Sequence, residues 1–244
     1  MYEFDAKQAT ENLIQWIKDW FEANGKGCNA VLGISGGKDS TVAAALCVRA
    51  LGKDRVIGVL LPNGIQADIA DAIAVCETFE IKNYTINIKE AVDATYQELK
   101  RNGIHISEQT RINTPPRERS KVIRAICQSE NGRMVNTCNL SEDYTGYFTI
   151  GGDGDGDFAP LGNLTVTEVI AVGHYLGLPA ELVDKAPSDG LSGKTDEDNF
   201  GFTYEVLDQY IRTGTCEDDN IKEKIDKRHG ANKFKLEPIQ KGLY

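Results

Sequence analysis

Four short β-rich runs alternate with helix-patterned stretches through the first 140 residues, and this alternation constrains the fold more than any other feature. The runs are "NAVLGI" at 29–34, "RVIGVLL" at 55–61, "NYTINI" at 83–88 and "RMVNTC" at 133–138. Apolar residues recur at helical spacing over 40–51, 67–79, 89–100 and 117–128 between them. Strand-helix alternation predicts an α/β fold, a parallel sheet flanked by helices on both faces. Ligands of such sheets bind outside the carboxyl ends of the strands.

The flanking sequence fills out this frame. Leu13, Trp16, Ile17, Trp20 and Phe21 repeat at three and four residues, which predicts an amphipathic helix over about 6–23 whose apolar face needs a partner surface. After Cys138 the texture changes to a Gly/Asp loop, "GGDGDGDFAPLGN". Thr165 and Glu168 form a capping-box pattern opening a helix to 175, and 179–185 reads as a short helix. A long polar loop over 186–201 has the character of one that closes over a site, and helices over about 203–212 and 217–227 precede a basic tail. No repeat or low-complexity linker divides the 244 residues, so 1–244 is expected to be one domain. Six cysteines without a C-x-x-C pair argue against zinc or redox motifs and predict buried, reduced thiols in a cytoplasmic protein. The acidic N-terminus does not read as a signal peptide, and no apolar run is long enough to span a bilayer. A net charge of −10 disfavours a nucleic-acid partner.

The stretch "VLGISGGKDST" at 31–41 carries the chemistry. A Walker A loop fails, because Gly33 and Gly37 are one residue too close together and Asp39 stands where Ser or Thr is required. Gly33, Ser35 and Gly37 satisfy the nucleophile elbow G-x-S-x-G, but no earlier strand is there to supply its oxyanion loop, and nothing marks His105, His174 or His229 as a triad base. The pattern S-G-G-x-D-S is met by Ser35, Gly36, Gly37, Asp39 and Ser40. Side-chain-free Gly36 and Gly37 let backbone N–H groups approach a pyrophosphate, the following helix aims its positive end at the same anion, and Asp39 can hold Mg²⁺ there.

This loop resembles the signature of the PP-loop ATP pyrophosphatases, which cleave ATP between the α and β phosphates to adenylate a substrate; their fold is the adenine nucleotide alpha hydrolase-like one. The blocks "NTPPRERS", "VNTCNLSEDYTGYFT", "GDGDGDFAPLGNL" and "LPAELVDKAPSDGLSGKTDEDNFGFTYEVLDQYI" narrow the resemblance to the ammonia-dependent NAD synthetases. It implies ATP-dependent amidation of deamido-NAD through an acyl-adenylate, releasing AMP and pyrophosphate. No glutaminase domain is in the chain, so free ammonia, or ammonia from a separate partner, is the expected nitrogen source. The resemblance further implies ATP contacts at Gly33, Ile34, Ser35, Gly36, Gly37, Lys38, Asp39, Ser40, Thr137 and Ser188. Magnesium would lie on Asp39 and Glu142, and Lys185 would join Asp39 near the reacting phosphate. Deamido-NAD contacts are implied for Arg117, Asp157, Asn232 and Lys233, in a homodimer with the N-terminal helix and the helices over about 203–228 at its interface.

Three positions depart from the family pattern. Asn232 replaces a histidine, Ile150 stands at an often basic position, and Val166 stands where an ATP-contacting lysine is common. Other PP-loop ligases and a non-catalytic nucleotide-binding module are the competing readings. The missing cations favour the module; intact Asp39, Glu142 and Lys185 oppose it.

Overall fold

A computed structural model describes residues 2–66, 69–184 and 195–242. Among them, strands β1 (Asn29–Gly33), β2 (Val56–Leu60), β3 (Lys82–Thr85) and β4 (Gly132–Met134) form a parallel sheet in the order β3-β2-β1-β4. Chain order therefore steps outward from β1 to β3 and then returns to the opposite side of β1. The strands are shorter than the apolar runs that announce them, because the run ends turn away as loops at the carboxyl edge.

Burial on both faces explains the continuous apolar runs. Ala30, Leu32, Val56 and Leu60 face one core, which α1 (Ala6–Asn24), α2 (Lys38–Leu51), α3 (Ile69–Thr78) and α7 (Val166–Tyr175) cover. Val31, Ile57, Val59 and Met134 face the other, under α4 (Lys89–Arg101) and α5 (Glu108–Ser129). The apolar face of α1 finds its partner within this chain: Ile17 and Phe21 are buried, and Trp20 stacks on Phe158 at 4.6 Å between ring centroids.

Two segments differ from expectation. Helix α5 begins at Glu108 and not near residue 117, running straight through Pro115 and Pro116. Ser107 caps it by accepting from Thr110 N, and the Tyr96 hydroxyl donates to Arg111 O at 3.1 Å, the carbonyl that Pro115 cannot serve. Within the predicted polar loop, α9 (Asp196–Phe200) forms a helical turn because Thr195 and Asp198 make a capping box. Helices α6 (Leu140–Thr145), α8 (Ala180–Val183), α10 (Tyr204–Thr213) and α11 (Asp219–Asn232) complete the described chain. The box at Thr165 forms as read, with Thr165 N donating to Glu168 Oε2 at 2.9 Å. Five cysteines are buried, while Cys216 is partly exposed. No described helix is long and apolar enough to cross a membrane.

Candidate active site

The strand order reverses between β1 and β4, which makes their carboxyl ends the sheet's switch point, where ligands of such folds bind. Residues 34–37 leave β1 and enter α2; residues 135–139 leave β4 and enter α6. Gly36 takes φ +80°, and a Cβ there would lie 2.7 Å from Asp71 Cβ and 2.8 Å from Ala72 N. Only glycine lets the loop pass that close to α3. Gly37 is the N-cap of α2, Ser35 Oγ accepts from Gly37 N at 3.2 Å, and Ser35 and Ser40 join hydroxyls at 3.1 Å. Thr41 Oγ1 donates to Gly37 O at 2.8 Å. The loop at the N-terminal end of α2 is thus fixed by its own serines and threonine.

Asn139, fully buried, ties the second loop to the first. Its side-chain oxygen accepts from Ser141 N and Glu142 N, capping α6, while Glu142 Oε2 accepts from Asn139 N at 3.0 Å. Its Nδ2 donates to Asp39 Oδ1 at 3.0 Å. Asp39 and Glu142, 103 positions apart, are therefore held on the same residue. Burial, then the charge of Asp39, pushes the Glu142 carboxyl well above its ordinary range. Lys38 Nζ lies 2.9 Å from Asp39 Oδ2. Burial works against its ammonium, but Asp39, then Glu142, hold its pKa above the usual lysine value. Two carboxylates offering hard oxygens at one edge suit a divalent cation. Among the described residues no group of three or more His, Cys, Asp or Glu could hold a metal. The pair would then share the cation with phosphate oxygens and water.

Thr137 lies half-buried in the β4 loop. Arg117 is exposed on α5 and donates from Nε to Ile150 O at 3.1 Å. The far end of α11 reaches the same 146–150 loop: a Cβ on Gly146 would fall 2.2 Å from Asn232 Cβ. Lys233 follows on the exposed rim. Asp157 accepts from Met134 N at 2.7 Å and pairs with Arg124, so both its oxygens are engaged within the chain. Val166 is buried in an apolar cluster with Phe200 and Phe202. A lysine could not sit there without unpacking it. Lys185 and Ser188 lie outside the described residues. Sequence reasoning missed Asn139, although the spacing N-x-x-E in "NLSE" is itself a capping-box signal. It also missed Asp196, buried on α9 and accepting from Tyr204 Oη at 3.0 Å. No local pattern marks that residue.

The model of the family described as NAD synthase matches residues 9–242. The chain is 39% identical over 213 residues to an NH(3)-dependent NAD(+) synthetase of Thermococcus sibiricus, covering 86% of this chain and 82% of that one. It is 38% identical to the same-named protein of Finegoldia magna, covering 92% of each. Among solved structures, the NMN synthetase of Francisella tularensis superposes with a TM-score of 0.90 at 32% identity, covering 99% of this chain and 100% of that one. The NH3-dependent NAD synthetase of Campylobacter jejuni gives 0.80 at 27% identity, with the same coverage.

Proposed function

The chain belongs to the NAD synthase family, and on that premise we propose that it amidates deamido-NAD to NAD with ATP and ammonia, releasing AMP and pyrophosphate. The observation that carries this reading is the meeting of the 35–40 loop with Glu142, through Asn139, at the sheet's switch point. A carboxylate is a poor acyl donor. Its attack on the α-phosphate gives an acyl-adenylate, from which ammonia displaces AMP. The loop amides and the N-terminus of α2 hold the phosphates, and Asp39 with Glu142 would hold Mg²⁺. When bound, the metal supplies neutralisation of the charge on the triphosphate and departing pyrophosphate.

Arg117 and Asn232, both against the 146–150 loop, with Lys233 next in the chain and Asp157, are the proposed deamido-NAD contacts. Thr137 and Ser188 would contact ATP, and Lys185 the developing charge. A one-domain homodimer in the cytoplasm, fed by free ammonia or by a separate ammonia-supplying protein, completes the reading.

A second reading is amidation of the mononucleotide, nicotinate mononucleotide to NMN. The TM-score of 0.90 to an NMN synthetase favours it, as does the absence of a cation at Ile150. Both readings are tested in one experiment. The protein is incubated with ATP, Mg²⁺ and ammonium plus either deamido-NAD or the mononucleotide, following amide product and pyrophosphate together. Stoichiometric NAD and pyrophosphate with a higher kcat/KM for deamido-NAD supports the first reading; the reverse preference supports the second. Pyrophosphate with neither substrate would refute both.

A further inference from the structure

The fourth place of S-G-G-x-D-S is open in the pattern, and this chain fills it with a lysine that the structure buries. Lys38 is the first residue of α2, where the helix dipole opposes a positive charge, and it is only 4% exposed. An ammonium removed from water in such a place is stable only against carboxylates. Asp39 supplies one at 2.9 Å; Glu142 from α6 and Asp196 from α9 also act favourably on its charge. The two oxygens of Asp39 are divided, Oδ1 to Asn139 and Oδ2 to Lys38. A cation that takes Oδ2 meets the like charge of an ammonium 2.9 Å from the same oxygen.

We propose that Lys38 is the resident counter-ion of the Asp39 and Glu142 pair, a positioning residue that yields Asp39 to an incoming divalent cation and turns its ammonium to the nucleotide phosphates. This rests on the proposed metal role of those two carboxylates. Metal alone presses the ammonium off Asp39 without bringing it a new acceptor. Metal with ATP brings phosphate oxygens for its donors. Metal and nucleotide therefore strengthen one another's binding, by a reciprocal factor.

The test is Mn²⁺ binding to the full chain, followed by electron paramagnetic resonance with and without ATP, in wild type and Lys38→Gln. Losing a positive charge so close to the ligating oxygen should tighten Mn²⁺ binding without nucleotide by roughly tenfold or more. The ATP-induced gain in Mn²⁺ affinity should shrink. In EDTA the variant should melt lower than wild type, and Mg²⁺ should raise its Tm by more. Mn²⁺ affinity in Lys38→Gln equal to or weaker than wild type would overturn the inference while leaving the metal reading intact. Failure of both proteins to bind Mn²⁺, with or without ATP, would overturn both. Should the variant not fold, the wild type answers through its Lys38 ¹⁵Nζ resonance. A shift on Mg²⁺ addition supports displacement, and a resonance unmoved at saturating Mg²⁺ refutes it.

Discussion

Replacing Asn139 separates the local and long-range parts of the site. Its side chain caps α6 through Ser141 N and Glu142 N, both at 3.0 Å, and reaches Asp39 Oδ1 at 3.0 Å. Losing an N-cap costs about 1 kcal/mol. A hydrogen bond to a charged group contributes about 1.5–3 kcal/mol. Asn139→Ala removes both and should destabilise the metal-free protein by roughly 2.5–4 kcal/mol, since the two act on different partners. For a chain of this size that corresponds to a fall in Tm of roughly 5–15 °C. Asn139→Ser keeps a capping oxygen but cannot span to Asp39, so it should recover only about 1 kcal/mol of the loss. The assay is urea and thermal unfolding in EDTA, so that metal binding does not mask the difference. An Asn139→Ala protein within about 0.5 kcal/mol of wild type would refute the assignment of Asn139 as the link between the two loops. So would a serine variant as stable as wild type, because the bridge to Asp39 would then carry nothing.

Three further outcomes are expected. Asp39→Asn should lower turnover at least about a hundredfold while far-ultraviolet dichroism stays native; near-normal kcat would remove Asp39 from the proposed metal site. Gly36→Ala should raise the KM for ATP and lower Tm, because left-handed backbone costs a side chain about 1–2 kcal/mol and the new methyl meets Asp71 and Ala72 N; an unchanged KM would count against the loop as a phosphate cradle. Arg124, with help from Ser120, holds the Asp155 carboxyl down to about 2, from an ordinary 3.8, so its stabilisation is full above the ordinary value and lost as pH falls through the lowered one. Wild type should exceed Asp155→Asn in unfolding free energy at pH 6, with the gap narrowing from about pH 4 to about pH 2; a gap unchanged down to pH 2 would exclude the ion pair as its source.

What was legible in the sequence was what is local. Strands buried on both faces leave continuous apolar runs, the phosphate loop is contiguous, and the capping box at Thr165 spans four residues. What depended on distant partners was not. Helix α5 crosses Pro115 and Pro116, and a tyrosine on α4 serves the Arg111 carbonyl that Pro115 orphans, a contact with no signature in the local pattern. The apolar face of α1 was legible as unpaired, but its partner, Phe158 in the Asp loop, was not. Asp157 carries its family position in plain view, yet only the structure reveals that Arg124 and Met134 N engage its oxygens.

An acidic chain proposed to bind a triphosphate and a dinucleotide raises the question of where the compensating charge lies. The 101–124 stretch carries six Lys and Arg, but most already have partners in the chain. Arg101, Lys121 and Arg124 pair with carboxylates, and Arg117 and Arg119 donate to the carbonyls of Ile150 and Leu61. At the switch point the amides of the 35–40 loop and the N-terminus of α2 are left to meet the phosphate charge, with Arg117 and Lys233 proposed for the dinucleotide. The N-termini of α2 and α6 carry Asp39 and Glu142 in their first turns, where the dipoles favour anions and where Lys38 already supplies one positive charge. Polyanion affinity in such a site depends on cations brought with the nucleotide more than on the charge of the fold. An otherwise acidic surface then leaves free anions without metal little reason to enter.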